Sequence, residues 1–260
     1  MELEMDASGI RLDVWALVLV MLVLLWVWHR KTHTRTRQIR GEMFADCLDA
    51  IEHPVTKQDD VNFPILTGEY KGYSVRLEPV FDQVTFRKLP SLWMSITVYR
   101  PIPVDGTLDY LVRPQNTEFY SPWSRLPYDL DIPHGWPAHA VLRSDVDAAA
   151  PLELISPFIG IFQDDPKVKE LLITKSGVRF VYQIDESQRS HYLVLRQPLF
   201  ESLRVDRDKM LVVLDSAMNL ADALVTRQGK PAAVQVDTAR SETASATKQP
   251  FPSLSLQAEM

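Results

Sequence analysis

The sequence predicts an α+β protein: one N-terminal transmembrane helix, then a mainly antiparallel sheet domain with a C-terminal amphipathic helix packed on it. Three features predict this class. Residues 14–28 form an unbroken apolar run, and short segments of alternating apolar and polar residues follow it. A stretch of helical periodicity then closes the apolar part of the chain. The predicted organisation is a short extracytoplasmic tail (1–9), a transmembrane helix (10–28), a basic stalk with a juxtamembrane helix (29–62), a soluble α+β domain (63–226) and a disordered tail (227–260).

The apolar run reads VWALVLVMLVLLWVW over residues 14–28. Fifteen helical residues span only about 22 Å, so the predicted span begins at Ile10 and covers about 28 Å of a core of roughly 30 Å. Trp15 near one end, with Trp26 and Trp28 near the other, is typical of the aromatic belts at both interfaces. The acidic start argues against a cleaved signal peptide, and three tryptophans in fifteen unbroken apolar residues argue against a core helix.

The charges that flank this run predict its orientation. Residues 29–40 contain five Lys/Arg, including Arg30 and Lys31, and no acid, whereas the other flank has one Arg against four acids. By the positive-inside rule the N-terminus lies outside and the bulk of the chain is cytoplasmic, in a single-pass inner-membrane protein. The basic segment also suits anionic lipid headgroups, at about 1 kcal/mol per Lys/Arg, so the lipid bilayer is a predicted partner.

Composition limits the remaining classes. The net charge of −6 divides into +2 for residues 1–40 and −8 for the other 220 residues. An acidic domain argues against nucleic acid as its main partner, because phosphate binding needs a positive surface. The single cysteine, Cys47, excludes an internal disulfide, fits a reducing compartment and is interpreted as a small buried hydrophobe.

The first half of the predicted domain follows from local patterns. Residues 41–53 have helical spacing with Pro54 as the terminator, and residues 55–62 are a predicted loop. The two-residue turn Lys71-Gly72 predicts a hairpin. The predicted strands are Leu66–Tyr70, Tyr73–Leu77, Val84–Leu89, Leu92–Tyr99 and Leu108–Val112.

The second half begins with an irregular stretch, residues 114–139. A helical region is predicted over Pro151–Gln163, and Asp164-Asp165-Pro166 predicts a turn that opens a short helix, Lys167–Leu171. The predicted strands are Ala140–Arg143, Glu170–Thr174, Val178–Ile184 and His191–Arg196, with Lys175-Ser176-Gly177 as a three-residue hairpin loop between the second and the third. An amphipathic helix is predicted from about Asp206 to Val225, and the Ser-, Thr- and Ala-rich tail is predicted to be disordered.

Candidate chemistry concentrates in the irregular stretch, which contains Asp129, Asp131, His134 and His139. Carboxylate and imidazole groups can act as general acids and bases or as metal ligands. The competing interpretation is a surface loop whose aromatic residues pack on the sheet. The H-E-x-x-H and C-x-x-C spacings are both missing, and the turn glycines are not followed by a P-loop Lys-Ser/Thr, so no cofactor or metal is predicted.

The order of features also carries a resemblance. A single N-terminal span and a basic stalk precede "TGEYKGYSVRL", "FRKLPSLWMSITV" and "KELLITKSGVRFVYQI", which leads to a helix. Over residues 10–225 this pattern resembles uncharacterised bacterial membrane-anchored proteins of unknown function. The resemblance implies a bacterial inner membrane and no known activity, and it supplies no functional residues.

The sequence therefore predicts a membrane-tethered cytoplasmic interaction or scaffold protein without identifiable catalytic chemistry, and with a protein partner that it does not name. One alternative is a hydrolase that uses the Asp/His-rich loop around residues 129–139. Another is a sensor of lipid or of a small ligand, for which an apolar cavity lined by Trp93 or Phe180 is the expected feature.

Overall fold

The computed structural model describes residues 7–82, 89–115, 118–147, 150–195 and 198–228. The predicted strand Val84–Leu89 falls almost entirely outside the described residues. The same is true of residues 1–6 of the predicted extracytoplasmic tail and of residues 229–260 of the predicted disordered tail.

The fold is α+β, with a long apolar N-terminal helix and an open antiparallel sheet of nine strands within the described residues. Helix α1 (Ala7–Gly41) is 35 residues long, or about 52 Å. The strands in chain order are β1 (Glu52–Lys57), β2 (Ile65–Tyr70), β3 (Tyr73–Phe81), β4 (Ser91–Tyr99), β5 (Leu108–Val112), β6 (Tyr128–Asp129), β7 (Ala140–Ser144), β8 (Val168–Thr174) and β9 (Gly177–Glu186). Their spatial order is β1-β2-β3-β4-β9-β8-β5-β7-β6. The further helices are α2 (Leu152–Ile155), α3 (Ile161–Asp164), α4 (Arg189–Leu195) and α5 (Arg207–Gln228).

Two hairpins set the register of the sheet. Lys71 and Gly72 both have positive φ, +50° and +82°, which is the requirement of a type I′ turn and confirms the predicted hairpin. The predicted three-residue loop between β8 and β9 is wrong, because Gly177 pairs with Thr174 and leaves only two residues in the turn. Gly177 has φ +156°, and a Cβ there would lie 2.1 Å from the carbonyl oxygen of Val98. The neighbouring strand therefore requires glycine at this position.

One face of the sheet forms the main core. Alternate residues of β4 and β9, such as Ile96 and Phe180, are fully buried beneath α5, which crosses both strands. Asp206 accepts backbone N–H bonds from Asp208 and Lys209 at the start of α5, at 3.0 and 3.2 Å. Side chains that complete this core are Met94, Val98, Tyr110, Leu171, Ile173, Met210, Val213, Leu214 and Ala217.

The predicted helix over 41–53 is wrong in form. Helix α1 ends at Gly41, and two 3₁₀ turns, Glu42–Phe44 and Leu48–Ala50, lead into β1. The spacing also predicts one apolar face of Met43, Phe44, Cys47, Leu48 and Ile51, and all of these except Leu48, which is 37% exposed, are buried. Pro54 is accommodated because β1 is an edge strand, where a missing N–H need not break the ladder.

Two other segments have the opposite structure to the one predicted. The predicted helix Lys167–Leu171 lies largely in strand β8, which pairs with both β5 and β9, so two sets of cross-strand bonds outweigh the turn signal. The predicted strand His191–Arg196 is the helix α4. The backbone N–H of Gln188 donates to the carbonyl oxygen of Leu199 at 2.9 Å, so the chain returns on itself here and α4 has no neighbouring strand. The predicted helical region Pro151–Gln163 is broken into α2, a 3₁₀ turn and α3 around Pro157.

The sheet has two distinct ends. The proximal end lies beside the C-terminus of α1 and contains Lys57, Ile65, Phe81, Ser91 and Glu186, as the strand register requires. The distal end carries the turns at residues 71–72 and 175–176.

Candidate functional site

The face of the sheet opposite α5 carries the polar residues of the strands. Strand alternation places Trp93, Ser95 and Thr97 of β4 on this face. The register then sets Arg179 of β9 beside Thr97, and it brings Glu170 of β8 and Asp109 of β5 to the same face. The charged side chains of these strands therefore come together on the face opposite α5.

Four of these polar groups form a buried set, here called the acid–arginine cluster: Asp109, Ser121, Glu170 and Arg179. Asp109 and Glu170 are both completely buried. Arg179 Nη2 donates to the two carboxylate oxygens of Glu170 at 3.1 and 3.0 Å, and Ser121 Oγ donates to Asp109 Oδ2 at 2.5 Å. Glu170 is therefore bonded to the partly exposed guanidinium, whereas Asp109 is bonded to Ser121 and interacts with the same guanidinium only through its charge.

The cluster changes the acidity of both carboxyl groups. Burial raises the pKa of Asp109, although the Ser121 hydroxyl and the Arg179 charge oppose the rise. Burial, and then the charge of Asp109, raise the pKa of Glu170 well above its usual range. Since one arginine balances only one carboxylate, the folded protein favours a proton on the pair.

The segment around Tyr120 and Ser121 crosses this cluster. Arg179 Nη2 donates to the carbonyl oxygen of Tyr120 at 3.0 Å, and the Tyr120 ring lies 5.1 Å from that of Trp93. Burial raises the pKa of the Tyr120 hydroxyl. Within the described part of the chain, Trp93 Nε1, Asp109 Oδ1, Tyr120 Oη and Arg179 Nε are buried without a hydrogen-bond partner. This segment is thus fixed to the sheet at its centre, while several polar atoms beneath it remain unsatisfied.

A small cavity of about 250 Å³ adjoins this covered region. Trp93 and Tyr120 form one wall of it, and the other lining residues are mainly polar, including Ser91, Gln183 and Glu186. Phe180 lies in the main core with no exposed surface. The cavity beside Trp93 is therefore polar, unlike the apolar cavity expected of a lipid sensor.

A larger groove of about 870 Å³ lies on the same face at the proximal end, here called the stalk groove. Its floor is formed by residues of β1, β2 and β3, and its end wall by Arg40 of α1. Apolar, polar and charged side chains line it: Val55, Lys57, Phe63, Ile65, Thr67, Arg76, Glu78 and Phe81. All six residues of β1 beside it are exposed. The groove is therefore open along the terminal strand of the sheet.

The stalk is fastened to this end of the domain by the loop between β1 and β2. His33 Nε2 lies 2.9 Å from Asp60 Oδ1, and Gln58 donates to the carbonyl oxygen of Arg37 at 2.9 Å. Arg40 donates to the carbonyl oxygen of Val61 at 2.7 Å and lies over the ring of Phe63. Helix and sheet domain thus meet through several bonds.

The predicted anchor residues lie in one continuous helix. The described residues contain one helix that is long and apolar enough to cross a membrane, judged by length and composition. Trp15, Trp26 and Trp28 are all exposed on it, and Arg30 lies 5.4 Å from the centre of the Trp26 ring. Lys31 occupies the same turn of α1 as Arg30.

The four predicted acid–base candidates are exposed residues on β6 and on the loop that follows it. The Asp129 carboxylate pairs with Arg143 at 2.6 and 3.0 Å, beside the ring of Trp123. Asp131, His134 and His139 lie on the loop that leads to β7, and each is exposed. In the described ranges no group of three or more His, Cys, Asp or Glu residues could hold a metal ion.

The acid–arginine cluster was missed by sequence reasoning. A signal for it is present, because Asp109 interrupts the otherwise apolar strand LDYLV and Glu170 directly precedes the apolar run LLI. A charged residue at such a position is almost never buried without a partner, so each acid points to a buried base.

Comparisons with protein-family models, with curated proteins and with solved structures yield no match to the chain.

Proposed function

We propose that this protein is a single-pass membrane protein whose cytoplasmic domain binds an extended segment of a partner protein in the stalk groove. The observation that supports this most directly is the junction itself. An exposed apolar helix continues without a break into a stalk, and the stalk forms the end wall of an open groove. A binding surface is thereby tied to a membrane anchor.

The exposure of the apolar helix supports insertion into a bilayer. Every residue from Val14 to Trp28 is exposed, which distinguishes this segment from the buried core helix of a soluble protein. Ten of the fifteen are Leu or Val, and each favours the membrane centre by roughly 0.3–0.6 kcal/mol, or about 3–6 kcal/mol together. The basic residues that follow Trp28 support a cytoplasmic location for the domain by the positive-inside rule.

The chemistry of the groove suits a polypeptide. Strand β1 ends the sheet, so one row of its backbone groups has no strand partner among the described residues. Pairing is interrupted between Glu52 and Val55, which leaves Val55 to Lys57 as the regular part. An added strand pairs with that part and places alternate side chains beside Val55 and Lys57. The acidic domain as a whole argues against a nucleic-acid strand there.

Photo-crosslinking in the native membrane tests this function. A benzophenone amino acid is placed at Val55 or at Lys57 of the full chain, and the matched control is Val212 on α5, which is 57% exposed against 61% for Val55. An added strand predicts adducts from positions 55 and 57 at sites two residues apart on one partner segment. The proposal fails if positions 55 and 57 give no adduct, or the same adducts as position 212.

A larger side chain in the groove tests whether the groove itself, and not only the exposed edge of β1, takes part in binding. Thr67 lines the groove on β2, and its hydroxyl donates to the carbonyl oxygen of Val55 at 3.3 Å, so Thr67→Val, which loses this bond without filling the groove, is the matched control. Thr67→Arg is expected to lower the crosslinking yield at Val55 several-fold. An unchanged yield would show that the groove takes no part in binding.

The membrane orientation has its own test. Glu4→Cys and Ser176→Cys variants are treated with a membrane-impermeant maleimide in intact cells, and the buried Cys47 is left in place. The expected result is labelling at position 4 in intact cells, and at position 176 only after permeabilisation. The reverse pattern would contradict the proposed topology.

A further inference from the structure

Residues 29–40 of α1 have two faces that differ in their contacts. His33, Arg37 and Arg40 lie at helical spacing and are all bonded to the loop between β1 and β2. A second face lines a shallow depression of about 510 Å³ to which no described residue of the sheet domain contributes. Four polar residues of this second side define what is here called the basic face: Arg30, Lys31, Thr34 and Arg35. The domain therefore leaves the basic face open.

The three cations of the basic face have no carboxylate partner in the described part of the chain. Residues 29–40 contain no acid, and the ion pair of this segment joins His33, on the other face, to Asp60. The cationic side chains are all exposed, and they lie along about 8 Å of helix. The basic face thus presents three positive charges to an anion from outside the protein.

The side chain of Arg30 is held toward the bilayer end of α1. Helical side chains tilt toward the N-terminus, and the guanidinium of Arg30 lies 5.4 Å from the centre of the Trp26 ring. This distance is within the range of a cation–π interaction, which uses none of the five N–H donors of the guanidinium. Arg30 is therefore positioned by Trp26 while its donors stay available to a ligand.

The basic face begins at the membrane boundary of the proposed anchor. Arg30 and Lys31 follow Trp28 by two and three residues, or about 3–5 Å of helix, and Arg35 follows it by seven, or about 10 Å. The headgroup layer on each side of a bilayer is roughly 5–8 Å thick. With Trp28 at the interface, the first two cations lie within the headgroup layer and Arg35, which tilts back toward them, lies at its outer edge.

We infer that the basic face binds the phosphate group of one anionic phospholipid, in the leaflet from which the stalk emerges. The inference rests on the proposed membrane anchorage, because the anchor brings these cations to the depth of the lipid phosphates. A guanidinium matches a phosphate through paired N–H donors, and Lys31 adds a compact positive charge beside Arg30. Such a site goes beyond the general attraction of a basic segment for an anionic surface, because it acts on one face of the helix.

Two threonines can distinguish a site on one face from diffuse attraction. The Debye length is about 8 Å at physiological ionic strength and an α-helix is about 10–12 Å wide, so diffuse attraction acts almost equally on both sides. Thr32 and Thr34 are both exposed, and their hydroxyls donate to the carbonyl oxygens four residues earlier at 3.0 and 2.9 Å. They lie about 160° apart around the helix, and only Thr34 belongs to the basic face.

Photo-crosslinking to lipid tests the inference on the full chain. A benzophenone amino acid is placed at Thr34 or, as the matched control, at Thr32, in vesicles of equal amounts of phosphatidylcholine and phosphatidylglycerol. The ratio of phosphatidylglycerol to phosphatidylcholine adducts is expected to be about threefold or more higher at position 34 than at position 32. Equal ratios at the two positions would show diffuse attraction only and would overturn the inference.

Two arginine variants test the contribution of depth. Arg30→Gln and Arg37→Gln each remove one charge from nearly the same side of the helix, but Arg37 lies nine residues, or about 14 Å, beyond Trp28. Arg30→Gln is expected to lower the phosphatidylglycerol preference at position 34 about twofold or more, and Arg37→Gln to leave it unchanged. Equal effects of the two variants, or no effect of Arg30→Gln, would contradict the site.

A third crosslinking position separates this inference from the anchorage on which it rests. A benzophenone at Leu22, in the middle of the apolar run, reports whether α1 lies in the bilayer. Lipid adducts at position 22 without a phosphatidylglycerol preference at position 34 overturn the basic-face site and leave the anchorage intact. Absence of lipid adducts at position 22 contradicts the anchorage itself, and the inference with it.

Discussion

The acid–arginine cluster yields the sharpest prediction about stability. Arg179→Met removes the guanidinium that balances Asp109 and Glu170 and leaves their carboxyl groups buried. Breaking a buried ion pair from one side costs about 3–5 kcal/mol. The Arg179 side chain is 25% exposed, so the lower limit applies, and the expected loss at pH 8 is about 3 kcal/mol.

The loss is expected to depend on pH. At pH 5 the raised pKa values leave both carboxyl groups largely protonated, so the variant loses hydrogen bonds and little charge pairing, at about 1 kcal/mol. For a domain of this size 1 kcal/mol corresponds to roughly 2–4 °C in the melting temperature. The expected reductions are therefore about 6–12 °C at pH 8 and about 2–4 °C at pH 5.

The wild-type protein gives the same effect with a definite sign. A carboxyl group whose pKa is higher in the folded state contributes stability that is fully present below its unfolded pKa of about 4. That contribution is lost as the pH rises through the folded pKa, by up to about 1.4 kcal/mol per pH unit for each proton. The cluster thus makes the protein less stable at pH 8 than at pH 5, and Asp109→Asn combined with Glu170→Gln is expected to flatten this dependence.

Thermal denaturation of the full chain in detergent, followed by circular dichroism, measures these effects. The matched control is Arg143→Met, because Arg143 is also 25% exposed but its partner Asp129 lies in solvent. Its effect is expected to be smaller and similar at both pH values. Adding the two amide changes to Arg179→Met should reduce the loss at pH 8 to the loss at pH 5. Equal losses for Arg179→Met at both pH values, or failure of the amides to rescue it, would refute the role assigned to the buried charge.

Other predictions concern single positions and are measured by the same melts, or by thiol labelling. Gly72→Ala is expected to cost about 1–3 kcal/mol of stability because of its positive φ. Gly177→Ala should cost more, because a Cβ at Gly177 would also meet the backbone of Val98. Gly160→Ala should instead stabilise the protein by about 0.4–1 kcal/mol, since Gly160 has a helical φ and open space around it. Burial raises the pKa of Cys47 to about 11, so a maleimide at neutral pH should react only after denaturation. Phe81→Ala removes the middle ring of three aromatic side chains in contact, Phe63, Phe81 and Phe200. It should lower the free energy of unfolding by about 2 kcal/mol, because these rings are only half-buried.

The strands that the sequence predicted well are those with strict alternation or a specific turn. Met94, Ile96 and Val98 of β4 alternate with less apolar residues, and all three are fully buried on the side of α5. Lys71-Gly72 supplies the two positive φ values that only a few residue pairs adopt readily. In both cases the deciding interactions lie within a few residues, so the local sequence contains the necessary information.

The incorrect predictions share a non-local cause. Glu170 and Leu171 belong to a strand because β5 and β9, which are distant in sequence, lie on either side of them. The segment after Gln188 is rich in residues that favour strands, yet it is helical because its two ends are tied together away from any sheet edge. The acid–arginine cluster depends on the register of three strands, which no single segment specifies.

The segment 29–40 decides whether the proposed binding groove has a fixed orientation relative to the proposed membrane anchor. Residues 29–40 contain neither glycine nor proline, and Thr32 and Thr34 bond back to the carbonyl groups of Trp28 and Arg30. A flexible linker of twelve residues would let the domain rotate freely, and the stalk groove would then face every direction equally. A continuous helix that is bonded to the β1–β2 loop would transmit the tilt of the proposed anchor to the sheet. Insertion of a few glycines after Arg30 should therefore preserve folding, as measured by the thermal transition, while it abolishes the preference of the groove for one orientation.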